Sequence, residues 1–219
     1  MSGKKKYIQL PNEYLSYSQM SLWMASPKRY ADLYFDRRDE LKFDNDAQQY
    51  GREVADALEA GLETGDLLTD SAMLLLPKYD VADVAIHTEF KTPYGWLKLI
   101  GKPDSMDSLT KAFIEFKTGK HPWTANKAQK HPQMPFYAVV IGVAYGVWNK
   151  DAILAWIETE RTENAEGKFI TKPTGRVEQF TVKFTRRELL EFQVQMIKVA
   201  HEIELAWASH ITNPELVNF

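Results

Sequence analysis

Two stretches of the sequence are the most informative: Ile100-Gly101-Lys102-Pro103-Asp104 and Phe113-Ile114-Glu115-Phe116-Lys117-Thr118-Gly119-Lys120. Successive side chains of a strand point to opposite faces, so Glu115 and Lys117 share one face while their apolar neighbours fill the other. A carboxylate and an ammonium on an otherwise apolar strand are costly unless something uses them. Asp104 closes the first stretch, and pairing of the two stretches as a hairpin would bring Asp104 to Glu115.

These three side chains form a candidate metal site. The carboxylates of Asp104 and Glu115, with a strand carbonyl, make a hard oxygen site of the kind that suits Mg²⁺ or Mn²⁺. Such an ion polarises a phosphate and lowers the pKa of a bound water. Lys117 would orient that water or stabilise developing negative charge. The structural alternative is a surface salt bridge on an edge strand.

The order of the predicted elements indicates an α/β fold with a central mixed β-sheet flanked by helices. Helices are predicted from Ser16 to Ala25, from Pro27 to Phe35 and from Ala47 to Gly61, which places extra helices at the N-terminus. Strands are predicted over residues 84–91, 96–102, 112–117, 151–160 and 177–184, with a helix from Pro132 to Tyr145 before the last two. Thr185, with Glu188 three residues on, caps a closing helix that runs to about Ser209.

Length and composition predict one domain over residues 1–219, made of a helical segment (14–61), a core (84–184) and the closing helix (185–209). Cysteine is absent, which excludes disulfides, thiolate zinc sites and cysteine nucleophiles. The basic start is followed by a stretch too short and too polar for a signal peptide. The longest apolar run, residues 137–148, contains two glycines and falls short of a membrane span. We therefore expect a soluble, cytoplasmic protein without a membrane partner.

The ordered motifs resemble the PD-(D/E)XK nuclease superfamily, in particular its RecB-type and phage exonuclease branch. Gly-Lys-Pro-Asp (101–104) followed by Ile-Glu-Phe-Lys-Thr-Gly (114–119) is similar to the core signature of that family. The segment from Leu15 to Tyr30 resembles the first helical segment of the branch, and Gly51 to Glu59 resembles the helix that brings a further metal ligand. Gln133-Met134-Pro135-Phe136-Tyr137 matches its Gln-x-x-x-Tyr motif.

The resemblance implies a restriction-endonuclease-like core and a Mg²⁺-dependent (or Mn²⁺-dependent) deoxyribonuclease. It implies an exonuclease that processes DNA ends in recombination or repair beside a single-strand annealing protein, in a bacterial or phage-infected cytoplasm. The residues to which it gives catalytic roles are Asp104, Glu115, Lys117, Gln133 and Tyr137. Family analogy also allows a ring-shaped oligomer.

Two departures from the branch bear on its metal groups. The branch usually places a histidine four residues after the helix-opening glycine, where this chain has Ala55. We expect Asp56 or Glu59 to replace that ligand, with Glu53 a further candidate. Branch members with an iron–sulfur cluster hold it with four cysteines, so no such cluster is expected here.

The candidate DNA contacts are Lys120, Lys127, Gln133 and Tyr137. A helix N-terminus favours anions, so Gln133 and Tyr137 could meet DNA phosphate or the water around the metal. The structural alternatives are solvated lysines, a plain helix start and a core tyrosine. A second Glu-Phe-Lys at residues 89–91 lacks an upstream Pro-Asp and is interpreted as an exposed strand face.

Two other functions stay open at this point. An endonuclease on the same fold, of the restriction or junction-resolving kind, would carry the same motifs. A nuclease-like domain that binds DNA or protein without cutting would explain the missing histidine and the net charge of -3.

Overall fold

The computed structural model describes residues 4–38, 50, 70–71, 73–82, 85–148, 150–163, 165–167 and 169–212. The described helices are α1 (Tyr17–Ala25), α2 (Pro27–Tyr34), α3 (Ala125–Gln129), α4 (Gln133–Tyr145) and α5 (Arg186–Thr212). The described strands are β1 (Val81–Ala82), β2 (Ile86–Lys91), β3 (Trp96–Gly101), β4 (Ser105–Met106), β5 (Phe113–Gly119), β6 (Lys150–Glu163) and β7 (Phe169–Phe184).

Five of these strands form one sheet in the order β1-β4-β5-β6-β7, and β2 pairs with β3 in a separate antiparallel ribbon. β5 and β6 run parallel, whereas the other neighbours in the larger sheet are antiparallel. Parallel neighbours need a crossover, and here α3 and α4 provide it. The fold class predicted from the sequence, a mixed sheet flanked by helices with further helices at the N-terminus, is confirmed.

Residues 96–102 and 112–117 do not pair as the hairpin that would bring Asp104 to Glu115. β3 pairs with β2 and leaves the larger sheet, while the two-residue strand β4 takes the place beside β5. A strand of two residues is too short to show an alternating pattern, so periodicity could not reveal it. Asp104 still reaches β5, because it immediately precedes β4.

Capping residues set the ends of the helices as the sequence predicts. The Ser16 hydroxyl accepts a hydrogen bond from the Gln19 backbone N–H at 3.3 Å and begins α1. Thr185 and Glu188 exchange the two hydrogen bonds of a capping box at the start of α5. Gly146 takes a left-handed backbone (φ 73°) and ends α4. The helix predicted for residues 47–61 lies outside the described residues.

Helix α4 is apolar on every side, as expected of a helix buried all round. Its residues from Phe136 to Gly142 are all buried, and it packs against β2, β3 and α5. Gly101, at the end of β3, lets the helix approach: a Cβ there would lie 3.1 Å from Val140 and 3.2 Å from the Tyr137 ring. This close contact fixes the position of Tyr137, and with it the first turn of α4.

Among the described residues, no helix is both long enough and apolar enough to cross a membrane.

Candidate active site

Asp104 and Glu115 lie opposite each other across β4 and β5. Ser105 pairs with Ile114, so the antiparallel register continued by one residue places Asp104 against Glu115. One Asp104 oxygen (Oδ2) accepts a hydrogen bond from the Phe116 backbone N–H at 2.6 Å, which holds the carboxylate at the edge of β5. The two acidic residues predicted to form a metal site are therefore neighbours, although the strand that joins them is not the predicted one.

Glu115 is the centre of a hydrogen-bonded cluster of side chains from β5 and α4. Its side chain is buried, with 3% exposed, and its Oε1 accepts hydrogen bonds from Lys117 Nζ and Gln133 Nε2, both at 2.6 Å. Lys117 Nζ also donates to Gln133 Oε1 at 2.7 Å, and Gln133 Nε2 donates to the Tyr137 hydroxyl at 2.8 Å. The structure thus brings together the five side chains to which the family resemblance gives catalytic roles, Asp104, Glu115, Lys117, Gln133 and Tyr137, and we call them the catalytic cluster.

In this cluster, both carboxylates have pKa values above their ordinary ones. Burial, followed by the nearby charge of Asp104, raises the pKa of Glu115 to about 8 against the favourable effect of Lys117. Burial also raises the pKa of Asp104, although the hydrogen bond from Phe116 acts the other way. A single ammonium does not compensate two desolvated carboxylates, so the pair favours a further cation.

The residues present fit a divalent ion. Among the described residues, Glu115 Oε2 is buried without a hydrogen-bond partner, while Oε1 of the same carboxylate receives two donors. A buried carboxylate oxygen left without a donor costs stability, and a metal ion is one way to satisfy it. Together with the Asp104 carboxylate it offers the hard oxygen ligands that Mg²⁺ and Mn²⁺ take.

Asp56 and Glu59, the residues predicted to replace the branch histidine, lie outside the described residues. Within the part of the chain that is described, no group of three or more histidine, cysteine, aspartate or glutamate side chains could hold a metal ion.

The two predicted lysine contacts lie close to the cluster along the chain. Lys120 follows the end of β5 and is exposed. Lys127 is on α3, where its Nζ lies 4.2 Å from the centre of the Trp123 ring. The edge of Trp123 in turn meets His131, with 5.1 Å between ring centres. Lys127 is therefore held above an aromatic ring instead of extending fully into solvent.

A cavity of about 350 Å³ beside the catalytic cluster was not predicted from the sequence. Gln133 and Tyr137 form its wall on the cluster side, and the segment from Asn12 to Gln19 forms the other. The segment is rich in tyrosines, a pattern that is equally typical of two helices packed on each other. Distinguishing a lining tyrosine from a core tyrosine needs the tertiary structure.

Comparison with known proteins agrees with the geometry. The model of the PD-(D/E)XK nuclease superfamily matches residues 72–206, more than half of the chain. No curated protein matches it significantly.

Solved structures with a similar fold include LHK-Exo in complex with dAMP, at 13% identity and a TM-score of 0.51, with 94% of this chain and 96% of that chain covered. They also include a phage-related exonuclease from Haemophilus somnus 129PT (14% identity, TM-score 0.48, 85% and 82% covered) and SSO0001 (12%, 0.49, 90% and 79%). Because the family model covers more than half of its length, the chain belongs to the PD-(D/E)XK nuclease superfamily.

Proposed function

We propose that this protein is a Mg²⁺- or Mn²⁺-dependent DNA exonuclease that removes nucleotides from DNA ends in recombination or repair. The observation that carries the proposal is the buried Glu115 Oε2, which has no hydrogen-bond partner in the described part of the chain and lies beside the Asp104 carboxylate. The order of motifs along residues 14–145 supports the exonuclease branch, with residues 1–219 acting as a single nuclease domain. A single-strand annealing protein is the partner that this role implies.

A divalent ion bound by Asp104 and Glu115 would supply Lewis acidity toward the phosphate and a more acidic water. Lys117 is fixed by two acceptors, Glu115 Oε1 and Gln133 Oε1, so its ammonium stays beside the carboxylates with little freedom. In that position it can orient the attacking water or stabilise negative charge on the phosphate. This agrees with the role that the sequence assigns to Lys117.

Gln133 and Tyr137 act next to this centre. The Gln133 amide bridges Glu115, Lys117 and Tyr137, so it fixes the orientation of all three side chains. The Tyr137 hydroxyl accepts a hydrogen bond from Gln133, which leaves its own proton to be donated. A phosphate oxygen of the DNA is the acceptor that we assign to it.

DNA is the proposed substrate class on two grounds. The family acts on nucleic acids, and LHK-Exo, a protein of the same fold, was crystallised with the deoxynucleotide dAMP. The lysines near the cluster, Lys120 and Lys127, are the proposed phosphate contacts, so binding should weaken as salt rises.

Digestion of end-labelled linear and closed circular DNA with Mg²⁺, Mn²⁺ or a chelator tests the proposal. We expect labelled mononucleotides from linear DNA only, only with a divalent ion, and a loss of at least about a hundredfold in Asp104→Asn. Glu89→Gln is the matched control, because Glu89 lies in the other Glu-Phe-Lys and pairs with Lys5 and Tyr7 instead. Equal digestion by wild type and Asp104→Asn would contradict the assignment, and cutting of circular DNA would indicate an endonuclease.

A further inference from the structure

The cavity beside the catalytic cluster has the lining of a nucleobase site. It lies between the start of α1, the segment before it, the end of α2 and the end of β3. We infer, on the basis of the proposed nuclease function, that it receives the unpaired base of the nucleotide being released. The enzyme would then act on an opened or single-stranded end.

The charge of the lining argues for a base and against a phosphate. Lys102 is the only charged side chain among the described residues that line the cavity. A site for a terminal phosphate, with close to two negative charges, would need several donors of positive charge. A neutral aromatic ring needs none. Lys102 could instead meet the backbone of the same nucleotide at the mouth of the cavity.

Aromatic side chains supply the stacking surface that a base needs. Tyr14, Tyr17 and Tyr34 all line the cavity. Tyr17 is held in place by Phe136, with 6.0 Å between ring centres, and Tyr34 packs on Tyr30 at 4.6 Å. Tyr14 is partly exposed and makes neither a ring contact nor a hydrogen bond with its side chain among the described residues. Stacking on tyrosine does not depend on the identity of the base, which suits an enzyme that degrades any sequence.

The side chain of Gln19 lines the cavity and makes only part of its possible hydrogen bonds within the described part of the chain. Its side chain is only 2% exposed, and its Oε1 accepts a hydrogen bond from the Tyr30 hydroxyl at 3.2 Å. Within the described part of the chain its amide N–H groups have no acceptor, and the residue lines the cavity. These N–H groups are therefore able to donate to a ligand in the cavity. The ring nitrogens and carbonyl oxygens of bases are acceptors of that kind.

The cavity also lies at the right place for the nucleotide next to the cut. Gln133 and Tyr137 line it and belong to the catalytic cluster, with Gln133 Nε2 bonded directly to Glu115. A base in the cavity would therefore be attached to a phosphate close to Asp104 and Glu115. A base that is still paired in a duplex is stacked and cannot enter, so the terminal pair must open first.

The test compares release of the first nucleotide from linear DNA that ends in an ordinary base or in an abasic nucleotide. With the full chain and Mg²⁺, wild type should release an abasic end about ten- to a hundredfold more slowly, because stacking is lost. Tyr14→Ala should slow release of the ordinary end by a similar factor and leave the abasic end within about twofold. A mismatched terminal pair should be released faster than a matched pair.

Tyr14→Phe keeps the ring and should retain wild-type rates, which separates stacking from a hydroxyl effect. Tyr145→Ala is the matched control, because Tyr145 is an exposed tyrosine whose ring contact is with Lys111 instead. Unfolding temperatures of all variants exclude loss of the fold as the cause. If Tyr14→Ala slows ordinary and abasic ends by the same factor, the cavity does not hold the base and the inference is wrong. If wild type releases no nucleotide from any end with a divalent ion, the proposed exonuclease function itself fails.

Discussion

At the scale of single residues, the carboxylates of Asp104 and Glu115 destabilise the fold that carries them. Glu115 Oε2 has no donor among the residues that the structure describes, and burial together with Asp104 raises the pKa of Glu115 to about 8. Active sites commonly retain such a loss of stability, because it is relieved when the substrate or the metal ion binds. The residues that the site needs are therefore not those that stability alone would select.

Replacing Asp104 with asparagine should stabilise the metal-free protein while abolishing its activity. The change removes one of two neighbouring negative charges and keeps an oxygen that can accept the hydrogen bond from Phe116. We expect the free energy of unfolding to rise by about 1–2 kcal/mol. Each kcal/mol corresponds to about 2–4 °C in unfolding temperature, which thermal unfolding in chelator measures.

Asp151→Asn serves as the control for this gain. Asp151 is exposed and its carboxylate is 3.6 Å from Lys183, a surface pair whose removal should change stability by less than about 1 kcal/mol. In saturating Mg²⁺ the order should reverse, with wild type more stable than Asp104→Asn, since only wild type binds the ion fully. A loss of stability for Asp104→Asn in chelator would show that the carboxylate pair is not strained.

The sequence predicted which residues form the site better than it predicted which strands and helices connect them. The Glu115–Lys117 spacing alone put both side chains on one face, and Gln133 and Tyr137, four residues apart, had to share one side of a helix. Neither rule says which strands pair. β4 and α3, with two and five residues, are shorter than the windows in which periodicity is visible, so both were missed.

At the scale of elements, α4 is the helix on which the site depends, and it was predicted almost to its ends. Prolines are tolerated only in its first turn and Gly146 stops it, so local chemistry fixed both boundaries. Its neighbours were not predictable, because an apolar surface on all sides says that a helix is buried but not against what. Only the tertiary structure shows that β2, β3 and α5 pack around it.

Gly142 is a place where packing outweighs helix propensity. Alanine is about 1 kcal/mol better than glycine inside a helix. A Cβ at Gly142 would, however, lie 2.8 Å from the Trp148 ring, so the tryptophan would have to move. We expect Gly142→Ala to lower the free energy of unfolding by about 1–2 kcal/mol net, measured by denaturant titration.

The background variant Trp148→Ala provides the matched control for Gly142→Ala. With the indole removed there is room for the added methyl group, so Gly142→Ala should become neutral or stabilising by up to about 1 kcal/mol. Equal losses in the two backgrounds would mean that some other contact of α4 opposes the methyl group.

Over the whole molecule, the net charge of -3 means that the proposed DNA substrate would have to be attracted by local groups and not by the overall field. Lys102, Lys117, Lys120 and Lys127 all belong to the segments that build the catalytic cluster or adjoin it. Their positive charge favours phosphate, but it also acts on any titratable group buried nearby. His131 is such a group, and its titration changes the free energy of unfolding of the whole protein.

His131 should make the protein sensitive to acid. Its imidazole packs between Tyr17 and Trp123, and its Nδ1 is buried with no hydrogen-bond partner among the described residues. Burial, with Lys117 and Lys127, lowers its pKa to about 4. The folded protein keeps this imidazole neutral, whereas the unfolded chain takes up a proton below about pH 6.5. The stability that it contributes is therefore complete above about pH 6.5 and is lost as the pH falls toward 4.

Urea unfolding at pH 7.5 and pH 5 measures this loss, with His131→Phe as the test variant. Phenylalanine keeps a flat ring between Tyr17 and Trp123 and cannot be protonated, so the variant should lose less stability than wild type between the two pH values. His87→Gln is the control, because His87 is exposed on β2 and should leave the wild-type difference unchanged. Titration of every other group cancels in these comparisons, so parallel curves for wild type and His131→Phe would show that His131 is not held neutral by the fold.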